Sequence, residues 1–116
     1  MKRVILDEGV PKTLAGKLRA LGLDASAFPN GWKQLSNGNL LNEIEKQGFE
    51  VLVTNDKRMQ FQQNLRGKRI AIVVLPTNTR IDVLKLVPMI ADAIRAVSAG
   101  TFFHIGASSS TPEKKS

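Results

Sequence analysis

The chain has 116 residues, 42% apolar and 23% charged, with 17 basic against 10 acidic side chains and no cysteine. This length gives one domain with one core, and the missing cysteine excludes a disulfide framework, a zinc–thiolate site and a thiol nucleophile. A formal charge of +7 favours an anionic partner (RNA, DNA or an acidic protein) while also serving solubility.

Residues 2–6 read as a strand, because Val4, Ile5 and Leu6 form a short apolar run that stops at Asp7 and Glu8. Three apolar residues are too few for a signal peptide, and no stretch reaches the ~20 apolar residues of a membrane span. A cytoplasmic location and no membrane partner are therefore expected. Pro11 stands where a helix begins, Leu14, Leu18 and Leu21 recur at helical spacing, and Gly22 closes that helix. Residues 23–28 give a weaker strand, and residues 29–36 a loop. Asn37 or Asn39 caps a second helix that Gly48 ends. Residues 50–54 form a third strand, 57–65 a short helix or turn, and 69–75 the clearest buried strand. Residues 82–99 carry a helical pattern through Leu84, Val87, Ile90, Ile94 and Val97, with Pro88 inside it to kink or split it. Residues 101–105 make the last strand. The domain spans 1–106, and 107–116 is expected to be a flexible tail.

Strictly alternating strands and helices imply a parallel sheet with helices on both faces. Such sheets bind ligands at the carboxyl ends of their strands, near the point where strand order reverses. Two strands deliver acids to that edge: Asp7 and Glu8 follow the first, and Asp56 follows Thr54 and Asn55 after the third. Carboxylates held close repel one another unless a cation or a proton intervenes. Mg²⁺ takes such oxygens, and a metal site for phosphodiester hydrolysis is built this way. The alternative is structural, since Asp and Glu after strands also start turns and cap helices.

The stretches MKRVILDEGVPKTLAGKL and GWKQLSNGNLLNEIEKQGFEVLVTNDKRMQFQQNLRGKRIAIVVL resemble the small bacterial PIN-like proteins, toxin components of toxin–antitoxin systems. The resemblance covers most of residues 1–98. It rests on the DE-x-x-P opening, the GW…L-x-NG-x-LL segment, the T-x-DK turn and the QQNL run. It implies a three-layer α/β/α sandwich on a mainly parallel five-stranded sheet. It also implies Mg²⁺- or Mn²⁺-dependent ribonuclease activity, an RNA substrate and a cognate antitoxin protein. Carried over by position, Asp7 and Asp56 are the catalytic, metal-binding acids and Glu8 is a neighbour of the metal. The pattern departs at Asn37-Gly38-Asn39-Leu40-Leu41, where relatives carry an acid at the position of Asn39. Glu43, one helical turn on, is the candidate substitute. A catalytically impaired module that binds nucleic acid or protein is the alternative.

Lys57 and Arg58 are placed to hold RNA phosphate, or else to pair with an acid. Gln62, Gln63 and Asn64 suit either nucleotide contacts or a turn-locking network. Trp32 suits base stacking or, more simply, anchoring of its loop. His104, in an apolar strand, has no catalytic role on this reading. A phosphoacceptor receiver domain shares the length and the acidic pair, but this chain has His104-Ile105-Gly106 where a receiver needs a lysine. A homodimer is expected on general frequency.

Overall fold

The computed structural model describes residues 2–59, 67–106 and 113–114. The chain runs β1 (Arg3–Leu6), α1 (Thr13–Ala20), β2 (Asp24–Ser26), α2 (Asn37–Lys46), β3 (Val51–Thr54), β4 (Ala71–Val74), α3 (Arg80–Lys85), α4 (Val87–Ala96), β5 (Thr101–His104) and β6 (Glu113–Lys114). A 3-10 turn, Asn30–Trp32, precedes α2. The sheet order is β2-β1-β3-β4-β5-β6. β1 to β5 are parallel, which is the expected five-stranded arrangement, and β6 adds two antiparallel residues beside β5. Glu113 and Lys114 belong to the segment expected to be a flexible tail. Most of the helix or turn expected over 57–65, and the Gln62–Asn64 cluster, lie outside the described residues.

Alternation along the strands feeds two cores. Val4, Leu6, Val51, Val53, Ala71 and Val73 face α1, α3 and α4, meeting Leu14, Leu18, Val83, Ile90 and Ile94. Ile5, Leu52, Ile72, Val74 and Phe102 face α2, meeting Leu40, Leu41 and Ile44. Every residue of β3 and β4 is buried, as befits central strands covered on both sides. The result is a three-layer α/β/α sandwich.

One connection departs from the usual hand. α1 carries the chain from β1 outward to β2 on one face, and α2 brings it back to β3 on the other face, so these two crossovers share a hand. α3 and α4 link β4 to β5 on the α1 face, but travel across the sheet in the opposite direction. That crossover therefore has the opposite hand, against the strong general preference for one hand in β-α-β units. Its effect is to cover the α1 face over the middle strands. α1 spans only eight residues, and no described helix follows β5.

The helix ends follow local chemistry with two adjustments. The second helix starts at Asn37 with Ser36 at the cap position, one residue ahead of Asn37 and three ahead of Asn39, the two asparagines expected there, and Ser36 makes no side-chain capping bond. The long helix expected over 82–99 is two helices. Pro88 lacks the N–H an uninterrupted helix would need, and the chain breaks at Leu86 and restarts with Pro88 in the first turn of α4. Leu21, expected on the apolar stripe of α1, lies just past the helix and is 44% exposed. Among the described residues no helix is long and apolar enough to cross a membrane.

Candidate functional site at the carboxyl edge

β1 lies between β2 and β3, so strand order reverses at β1, and the β1/β3 pair is the topological switch point. The sheet hydrogen bonding runs one step past β1, with the Asp7 N–H donating to the Val53 carbonyl at 2.8 Å. This places Asp7 level with Thr54, on the face covered by α2. The acids of the first and third strands are thus on neighbouring strands, at one edge.

Their link is Thr54, which is fully buried. Its hydroxyl donates to Asp7 Oδ2 at 2.6 Å and accepts the Asp56 N–H at 3.0 Å. Asp7 Oδ1 accepts the Glu8 N–H at 2.8 Å, and the Asp7 carbonyl accepts the Val10 N–H at 3.1 Å, which closes a tight turn. Asn55 fastens the two loops together, its Nδ2 donating to the Gly9 carbonyl at 2.9 Å. A side chain at Gly9 would place its Cβ 3.0 Å from Asn55 Oδ1, so the close approach of the loops suits glycine. Asp7 does not cap α1, whose cap position is Lys12.

Asp56 forms a turn of its own. Its Oδ1 accepts the Arg58 N–H at 2.9 Å and lies 3.5 Å from Arg58 Nε, and its carbonyl accepts the Met59 N–H. This is an Asx turn, the structural role weighed for Asp56 from sequence. The ion pair considered for Lys57 is therefore made by Arg58, whose side chain is 87% exposed and so adds little to stability. Lys57 is exposed and forms no ion pair with a described residue.

The remaining predicted acids stay outside this network. Glu8 is exposed. Glu43 accepts Gln47 Nε2 at 2.6 Å, a bond directed toward the carboxyl end of α2. Asn39 is exposed in the first turn of α2. Among the described residues no group of three His, Asp or Glu side chains could hold a metal ion. Asp7 and Asp56 bring two acids to neighbouring strand ends, joined through the Thr54 hydroxyl and the Asp56 N–H. That is the sparse protein share suited to a hydrated Mg²⁺ or Mn²⁺ bound jointly with substrate phosphate, rather than to a dedicated protein cage.

No protein-family model, curated protein or solved structure matches the chain. The geometry draws attention to two residues, one that sequence reasoning passed over and one to which it gave no catalytic role. Thr54 is one: alternation from Leu52 put its hydroxyl on the same face as Asp7, a signal available once the two strands were paired. His104 is the other: it lies in the same cross-strand row, since Thr54 pairs with Val74 and Val74 with His104. Trp32 is a packing anchor, edge-on to Phe28 and to Phe49 with centroids 6.1 Å away in each case.

Proposed function

We propose that the chain is a PIN-like, Mg²⁺-dependent ribonuclease whose site is the carboxyl edge of β1 and β3. The observation that carries this reading is the Asp7–Thr54–Asp56 network, which ties the Asp7 carboxylate through the Thr54 hydroxyl to the Asp56 backbone at the switch point of a parallel sheet. The basic charge of +7 suits a polyanionic substrate. Asp7 and Asp56 would hold the ion, which, when bound, polarises a phosphoryl oxygen and makes a bound water more acidic. Thr54 positions Asp7 by donating to one of its oxygens. Lys57 and Arg58, just beyond, are within the same loop and suit phosphate. On this reading RNA is the substrate, a cognate antitoxin protein is the inhibitor, and the setting is cytoplasmic.

The test is calorimetric titration of Mg²⁺ or Mn²⁺ into the wild type and Asp7→Asn, followed by an RNA cleavage assay on both. Saturable binding and cleavage that the substitution removes are expected. Cleavage retained by Asp7→Asn overturns the assignment.

A second reading has its own support. Asp56 Oδ1 is already engaged by Arg58, and the first turn of α2 has no acid. A nucleic-acid-binding module that has lost catalysis fits those facts. Asn39→Glu separates the two, because a disarmed nuclease gains metal affinity or cleavage and an intact one changes little.

A further inference from the structure

At the same edge, two strands along from Thr54, a cleft opens between the chain ends of β4 and β5. Val74, Leu75 and Ile105 lie buried beneath it, Pro76 and Gly106 line it, and Lys57 and His104 supply its polar side chains. The lining is tightly built. Gly106 has φ +83°, and a Cβ there would lie 2.8 Å from Pro76 Cγ, so the chain can pass this close to Pro76 only as glycine. His104 Nε2 is buried and has no hydrogen-bond partner among the described residues. An unsatisfied buried polar atom is uncommon and costly, and it calls for an explanation.

We infer that this cleft is a nucleotide subsite, taking one unit of a single-stranded nucleic acid next to the position held by Asp7 and Asp56. The lining argues for a nucleotide over a bare anion. A phosphate would gain little from Pro76 and the face of the His104 ring, whereas a base has apolar faces to lie against them and polar edges for an imidazole nitrogen. Lys57, exposed at the rim and free of any ion pair with a described residue, supplies the charge for the attached phosphate. The row Asp7, Thr54, Val74, His104 lies level across four adjacent strands. At about 4.8 Å per strand, His104 stands roughly 14 Å from Asp7, far enough to hold a neighbouring unit and not the reacting one. The inference rests on the ribonuclease reading for the role of that neighbour, but the subsite can be tested by itself.

The chain has a single histidine, so the Cε1–H and Cδ2–H signals of its imidazole can be followed by NMR without assignment of the rest. The full chain is titrated with each of the four ribonucleoside 5′-monophosphates, and separately with inorganic phosphate and with Mg²⁺. Nucleotides are expected to shift the imidazole signals saturably and phosphate alone far less. Lys57→Ala is expected to weaken the nucleotide response about tenfold, as for one charge-assisted contact. No shift with any nucleotide, in protein that binds Mg²⁺ normally, overturns the subsite and leaves the ribonuclease reading standing. An equal shift with phosphate overturns the nucleotide assignment. A nucleotide shift in protein that binds no Mg²⁺ upholds the subsite and rejects the metal reading.

Discussion

Thr54 has no exposed surface, yet its hydroxyl is committed at both ends, giving to Asp7 and taking from the Asp56 backbone. Replacing it with valine keeps the shape and the strand preference while removing both bonds. Thr54→Val is expected to cost about 1–3 kcal/mol in urea unfolding, because Asp7 and the Asp56 N–H lose their partner in a buried setting. Thr54→Ser is expected to recover most of that loss; equal stability of the wild type and the valine variant would show the hydroxyl to be idle. The acids themselves were legible in the sequence, since a run of apolar residues that stops at Asp7 or Thr54-Asn55-Asp56 marks a strand end. The Asx turn of Asp56 was legible too, because its partner is two residues away. The hydroxyl link was not, because it joins positions 47 apart in the chain and depends on which strands are neighbours.

At the scale of elements, α4 is held at its carboxyl end by a residue from the other end of the chain. Lys2 Nζ donates to the carbonyls of Ile94, Arg95 and Val97 at 3.0, 3.1 and 2.5 Å. These are among the carbonyls a helix leaves without an internal partner, and a cation there also meets the negative end of the helix dipole. Lys2→Met keeps the length of the side chain and removes the charge and the donors. It is expected to lower stability by about 1–2 kcal/mol, with faster amide exchange over 92–97 as the local sign. Unchanged exchange there would mean that water serves those carbonyls equally well. Strand and helix positions were largely readable from apolar spacing, and the Pro88 break from the chemistry of proline. The anchoring of α4 by Lys2 was not readable, since a lysine beside a strand carries no local sign of the helix it will reach.

Taken as a whole molecule, the protein is basic, and its proposed partner is a polyanion. Binding of a short single-stranded oligoribonucleotide should weaken as salt rises, with each neutralised phosphate adding about 0.7 to the log–log slope. Lys57→Ala should reduce that slope by about the same amount. An affinity indifferent to salt would place the basic charge outside the binding surface. The alternation of elements made a parallel sheet legible, but not the hand of the last crossover. That hand is fixed by which face still needs cover, and this is a property of the assembled layers rather than of residues 80–96.

The two cores on either side of the sheet are also unequal in composition. Phe28, Phe49 and the sole tryptophan, Trp32, all belong to the α2 layer, and none of them to the layer of α1 and α4. The chain therefore carries an optical reporter for one half of its interior. Trp32 emission should follow loss of the α2 layer during denaturation, whereas far-ultraviolet circular dichroism weighs the helices on both sides. Coincident curves from the two signals would show that the layers melt as one cooperative unit.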